Sequence, residues 1–176
     1  MSDYWRQLCA DHDFESPMTV YGGASRWESI RNAIAAIYPD EPSPECITMV
    51  HDGVRPLVSG HILDSLLEGL ASDQQAQGAI PAIAVTDSIR QIGGNGMSKA
   101  IERSSLRAVQ TPQAFRASLL RKAYTLPYMS SFTDDASVME AAGYNRLILT
   151  EGDPDNIKIT NPGDIAVASL IISRRQ

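Results

Sequence analysis

At 176 residues the chain is long enough for one domain with a sizeable core, and nothing in its length demands two. A hydrophobic share of 43% and a charged share of 20% are ordinary for a globular protein. The formal charge of −6 argues against broad nucleic-acid or anionic-membrane binding, though not against a small anionic substrate held by a few Arg and Lys. No apolar run approaches membrane-spanning length, no signal-peptide core opens the chain, and Cys9 and Cys46 are too few and too far apart for a metal motif, so reduced thiols in a cytoplasmic protein are expected.

Residues 2–12 place Tyr4, Trp5, Leu8 and Cys9 on one face of a short helix. Residues 18–21 (MTVY) read as a strand stopped by Gly22-Gly23. Ser25 and Glu28 then form a capping-box pattern before a helix whose buried face is Trp27, Ile30, Ile34 and Ile37. A Gly-Gly turn entering a helix suits an anion or nucleotide contact, although tight turns usually hold no ligand. After a Pro- and acid-rich loop, residues 47–50 are a short apolar strand ending in His51, Asp52, Gly53, Arg55 and Pro56. Such strand ends are where open α/β sheets bind ligands. Asp52 and Arg55 fit either a phosphate and metal site or a solvated ion pair in a turn.

Ser59 opens a helix with Ile62, Leu66, Leu67 and Leu70 inward, and residues 79–85 form the next strand. The alternation of strand and helix so far predicts parallel βαβ units. Residues 86–92, a turn at 93–96 and the polar stretch 98–110 predict a projecting hairpin. Its apolar residues Ile89, Ile92, Ile101 and Leu106 would pack on a second copy of the chain or fold back on their own domain. Thr111-Pro112-Gln113 reads as a helix start, with Phe115, Leu119, Leu120 and Tyr124 inward. A helix capped at Thr133-Asp134-Asp135 runs to Gly143, residues 146–150 form a strand, and Asn161-Pro162 opens the final helix.

Three polar clusters fall at strand ends: Asp52 with Arg55, Thr111 with Gln113, and Asp155 with Lys158; the hairpin adds Asp87, Ser88, Arg90 and Arg103. Arg grips phosphate oxygens bidentately and Lys offers a point charge, so these suit a phosphate-bearing substrate. No Ser-His-Asp order, zinc spacing or Walker loop occurs. His51 reads as structural rather than as a general base, and His12 and His61 as helix-surface residues.

The ordered runs VYGGASRWESI, VHDGVRP, RAVQTPQAF, FTDDASVMEAAG and EGDPDNIKIT resemble the 2-C-methyl-D-erythritol 4-phosphate cytidylyltransferase family over essentially the whole chain. The resemblance implies one α/β domain over residues 1–176, with a Rossmann-like nucleotidyltransferase sheet, helices on both faces and a projecting β-arm at about residues 87–110. It implies cytidylyl transfer from CTP to 2-C-methyl-D-erythritol 4-phosphate with release of diphosphate, a step of non-mevalonate isoprenoid synthesis. It further implies Mg²⁺ as cofactor and a homodimer formed through the arm. By position, Gly22, Gly23 and Ser29 match nucleotide contacts, with Ala24 standing where the family often has an acid. Asp52 matches the catalytic, metal-side aspartate, and Lys158 the cation at the reacting phosphate. Arg55, Ser88, Arg103 and Thr111 match sugar-phosphate contacts, with Ser88 where the family usually has Thr. The family's N-terminal strand and its Gly-rich CTP-phosphate loop have no counterpart in these residues, so little or no turnover is expected of the chain as given. Alternatives are a ribitol 5-phosphate cytidylyltransferase or a non-catalytic dimerising fragment.

Overall fold

The computed structural model describes residues 2–94 and 96–175; Asn95, expected in the hairpin turn, lies outside the described residues. The chain forms two compact units, Met1–Asp40 and Glu41–Gln176.

In the first unit, α1 (Ser2–Asp11) and α2 (Arg26–Ile37) are joined by irregular chain. Cys9 is buried but Tyr4 is not, and Trp5 meets Phe14 edge-on at 6.2 Å while donating to Ser16 Oγ at 2.7 Å. Residues 18–21, expected as a strand, are irregular and exposed: they pair with no strand among the described residues, and the Tyr21 carbonyl accepts instead from Asn32 Nδ2 at 3.3 Å. The N-cap of α2 follows the expectation only in part. Ser25 Oγ accepts from Glu28 N–H at 3.1 Å, but the Glu28 carboxylate reaches past Ser25 to accept from Ala24 N–H at 2.8 Å. Trp27 and Ile34 are buried, Ile37 is exposed, and Arg31 lies over the Trp27 ring at 4.8 Å.

The second unit is built on one mixed sheet of β1 (Ile47–Val50), β2 (Gly78–Ala84), β5 (Arg107–Val109), β6 (Gln113–Arg116) and β7 (Leu147–Glu151). The expected parallel βαβ order is corrected here. β1 and β2 point the same way but do not touch, because β6 lies between them and is antiparallel to both. Only the β2–β7 pair is parallel. The helix expected from Thr111 onward is also corrected: Gln113–Arg116 is a central strand, and α4 (Ala117–Ala123) begins only after it. Pro112 suits a helix start by itself, but partners on both edges of Gln113–Arg116 decide in favour of a strand.

Ala82 pairs with Val109 on one edge and Glu151 on the other, and Gly78 pairs with Phe115 and Leu147 in the same way. β5 and β6 therefore share one edge of β2, as a single line of chain interrupted at residues 110–112. Side-chain alternation sends Ala114 and Phe115 to opposite faces. On the Ala114 face, α3 (Gly60–Ser72) buries Ile62, Leu66 and Leu70 against Ala79, with Ile47, Met49 and Ile148 beside them; Leu67, expected inward, is exposed. On the other face, Gln113 Oε1 accepts from Ala136 N–H of α5 (Asp135–Ala141) at 3.1 Å, so helices cover both sides as expected. Ser59 stands at the α3 N-cap, yet its hydroxyl makes no capping bond.

The expected hairpin divides in two. β3 (Arg90–Ile92) and β4 (Ser98–Ala100) form a separate, exposed antiparallel ribbon, whereas β5 returns to the main sheet. The last helix, α6 (Pro162–Arg175), has Pro at its first position as expected. Its Ala168 and Ile171 pack with Leu57, Ile157 and Ile159, while Ile165, Leu170 and Ile172 remain exposed. Asp164, rather than Asn161, closes its N-terminus: one carboxylate oxygen accepts from Thr160 N–H at 2.7 Å and Asn161 N–H at 2.8 Å.

These amide bonds hold the Asp164 carboxyl below its ordinary value, so its contribution is present above the unfolded-state pKa and is lost as pH falls through the folded one. Asp164→Asn should therefore lower the melting temperature at pH 7. The gap to wild type should close in scanning calorimetry as the buffer is taken below the ordinary Asp range.

Candidate active site

β1 and β2 run together, and β2 and β7 are parallel, so the carboxyl ends of all three strands share one rim. Three segments meet there: residues 51–57 after β1, the interruption at 110–112 before β6, and residues 152–160 after β7.

Asp52 is the centre of this rim. Lys158 Nζ lies 3.1 Å from Asp52 Oδ2, and Arg55 Nε lies 3.8 Å from the same oxygen. The Asp52 and Arg55 side chains retain only 14% and 13% of their exposure, whereas Lys158 keeps 45%, so the lysine is the group open to an incoming anion. Burial pulls the Arg55 guanidinium down from its ordinary value and Asp52 opposes that; burial is the larger effect. Arg55 stays protonated throughout any working pH range. Its Nε is too far from Asp52 for a hydrogen bond and has no other acceptor, while its Nη1 donates to the Asn156 carbonyl at 2.8 Å.

The turn carrying Asp52 is held by a relay. Thr111 Oγ1 accepts from Asp52 N–H at 2.9 Å, which leaves its own proton for His51 Nδ1 at 3.1 Å. His51 Nε2 then bears the hydrogen donated to the Arg55 carbonyl at 2.9 Å. With both ring nitrogens occupied, His51 braces the turn. Ile159 N–H donates to Val54 O at 2.8 Å, and Arg175 Nη1 donates to Leu57 O at 2.9 Å, tying the 152–160 segment and the end of α6 to the same loop.

Asp52, Arg55, Thr111 and Lys158 are thus brought together. Gln113 and Asp155 are not among them. Gln113 is fully buried between strand and α5, donating to Asp134 at 2.9 Å, and Asp155 sits in a turn closed by its own N–H to Asp153 Oδ1 at 2.8 Å. Arg103 donates to the Thr86 carbonyl at the root of the ribbon, and Arg90 is stapled to Ser98 Oγ at 2.7 Å. Ser88 and Asp87 are exposed on the approach to the ribbon and make no hydrogen bond to the Asp52 cluster.

In the first unit, Gly22, Gly23 and Ser29 meet at the α2 N-terminus, where Gly23 N–H donates to Ser29 Oγ at 3.0 Å. A Cβ on Gly23 would fall 2.2 Å from Glu28 Cγ, so glycine is required for the Glu28 side chain to fold back over the turn.

Sequence reasoning missed Gln110 and Asn156, both almost fully buried. Gln110 Nε2 donates to Asp153 O at 2.8 Å while its Oε1 accepts from Asp153 N–H at 3.0 Å. Asn156 Nδ2 donates to Thr111 O at 2.8 Å. Their only signal was an uncharged amide side chain beside a strand end, which residue type alone does not distinguish from surface.

A mixed sheet covered on both faces, with an Asp–Arg–Lys cluster on its strand-end rim, is a nucleotidyltransferase-class architecture. It is similar to the 2-C-methyl-D-erythritol 4-phosphate cytidylyltransferase of Francisella tularensis (TM-score 0.71, 32% identity, 85% of this chain and 69% of that one). It is also similar to that of Thermus thermophilus (TM-score 0.71, 28% identity, 97% and 88%). Residues 2–174 match the family described as 2-C-methyl-D-erythritol 4-phosphate cytidylyltransferase. Curated relatives of that name are 38% identical in Bacteroides fragilis (97% of this chain, 74% of the relative) and 40% identical in Porphyromonas gingivalis (97% and 73%). The chain belongs to the 2-C-methyl-D-erythritol 4-phosphate cytidylyltransferase family, and it spans about three quarters of the length of those two relatives.

Thr111→Val should leave the Asp52 N–H without its acceptor in a site where Thr111 is 5% exposed. The expected loss is about 1–3 kcal/mol of stability, read from urea unfolding midpoints.

Proposed function

We propose that this chain carries out cytidylyl transfer from CTP to 2-C-methyl-D-erythritol 4-phosphate at the Asp52 rim. The observation that carries the reading is the Lys158–Asp52 contact at 3.1 Å with Arg55 behind it: two cations against one carboxylate, on the rim of an acidic protein. In this reading Arg55, Ser88, Arg103 and Thr111 bind the sugar phosphate, and Gly22, Gly23 and Ser29 contact the nucleotide. Lys158 neutralises charge as the phosphate oxygen of the acceptor attacks the α-phosphorus of CTP and diphosphate leaves. Asp52 orients Lys158 and would be the residue to hold a divalent cation. Positioning two polyanions and screening their repulsion supply most of the rate.

Among the described residues no three His, Cys, Asp or Glu side chains converge on a metal position. Mg²⁺ would be held beside the substrate phosphates by Asp52. When bound, the ion neutralises phosphate charge. The exposed ribbon, with Ile92 at 79% and Met97 at 69% exposure, supports a homodimer through the arm. A cytoplasmic location accords with a biosynthetic activity, and no helix among the described residues is long and apolar enough to cross a membrane.

Single-turnover transfer of label from α-labelled CTP, with protein in excess, tests the reading. Methylerythritol-phosphate-dependent transfer is expected, with Asp52→Asn and Lys158→Met each slowing it by about 10²-fold. Preference for ribitol 5-phosphate in this assay, or in a thermal-shift titration with both sugar phosphates, would overturn the substrate assignment. Dimerisation without any binding of CTP or sugar phosphate would favour the non-catalytic reading.

A further inference from the structure

The three segments of the rim are closed into a ring by a residue that carries no charge and reaches no solvent. Asn156 is fully buried. Its Nδ2 donates to the Thr111 carbonyl at 2.8 Å, and its own carbonyl accepts from Arg55 Nη1 at 2.8 Å. Thr111 in turn takes the Asp52 N–H on its hydroxyl at 2.9 Å, Asp52 meets Arg55, and Lys158, two residues along from Asn156, meets Asp52 at 3.1 Å. Asn156 therefore touches each of the other two segments directly, and reaches the Asp52 carboxylate through the chain it shares with Lys158. Gln110 fixes the other end of this segment with paired bonds to Asp153.

Asn156 Oδ1 is buried with no hydrogen-bond partner, as is Arg55 Nε. A buried acceptor left unmade is costly, so the side chain is not explained by its own hydrogen-bonding balance. An apolar residue would avoid that cost but would lose the single donor aimed at Thr111.

We infer that Asn156 is a positioning residue: its side chain sets the placement of Lys158 against Asp52 by tying the 152–160 segment to Thr111. It touches neither reactant in the proposed reaction, and the inference rests on that reaction for its ligand. A displacement of about 1 Å at such a centre is enough to cost two orders of magnitude in rate, which is why a buried amide outside the reacting groups matters.

The test is a double-mutant cycle with Asn156→Ala and Lys158→Ala in the full chain, read by calorimetric titration of 2-C-methyl-D-erythritol 4-phosphate. Asn156→Ala should weaken binding by about tenfold in the wild-type background and by no more than about twofold in the Lys158→Ala background, because its effect travels through the lysine. A loss of equal size in both backgrounds, or a lowered melting temperature with unchanged affinity, would overturn the inference. Amide exchange at Asp52, followed by NMR, needs no ligand: it should be about tenfold faster in Asn156→Ala, and an unchanged rate overturns the inference whatever the titration shows. If wild type takes no sugar phosphate, the proposed function fails, and faster exchange would still support the positioning role. Should Asn156→Ala not fold, Asn156→Ser, which also lacks the Nδ2 donor, is put through the same comparisons.

Discussion

The structure of the second unit depends on one interruption. Along the edge of β2 the chain runs antiparallel from Arg107 to Arg116 and would be a single strand but for residues 110–112. Gln110 still gives its N–H to Pro81 O at 2.8 Å, but Pro112 has no N–H to give. The ladder lapses for that short stretch. There the polar groups of Gln110 and Thr111 turn from the sheet to the loops after β1 and β7, and with Asn156 they join contacts such as Lys158–Asp52 and Ile159 N–H to Val54 O in assembling the rim. Resumption of the strand at Gln113 anchors one side of the gap in the core, with Ala114 and Phe115 at zero exposure, while β5 on the other side is exposed. A rigid support with one local lapse is how a fold can hold flexible side chains to a fixed geometry.

The electrostatics of the rim follow from the same arrangement. Burying most of the Asp52 and Arg55 side chains is a poor way to stabilise a protein, since the desolvation of both ions offsets much of their attraction. Burial outweighs Asp52 in its effect on Arg55. Lys158, the more exposed cation, is aimed at the same carboxylate, which it shares with Arg55. α6 reinforces this aim from behind, with Ala168 and Ile171 packed on Leu57, Ile157 and Ile159.

Much of this was legible in the residues. The apolar run from Ile47 to Val50 read as a strand ending before Pro56, and a strand is found there, half-buried rather than buried, with Asp52 and Arg55 just beyond its end; the run alone left a ligand site and a solvated ion pair both open. The α3 stripe Ile62–Leu66–Leu70 and Pro162 at the start of α6 also read correctly from helical period and backbone chemistry. Residues 18–21 did not: four apolar or β-branched residues resemble a strand locally, but a strand exists only when another pairs with it. Gln113–Arg116 failed in the opposite direction, a helix-like opening overruled by partners on two edges.

The sequence by itself determined which side chains were available for phosphate chemistry, and that Asp52, Arg55, Thr111 and Lys158 stood at element ends, because composition and period are local properties. Only the tertiary structure decided that β6 separates β1 from β2, that three loops more than 40 residues apart share one rim, and that buried Gln110 and Asn156 join them. Strand pairing and burial are relations between distant residues, and an amide side chain has the same appearance in a sequence whether it faces water or closes a ring.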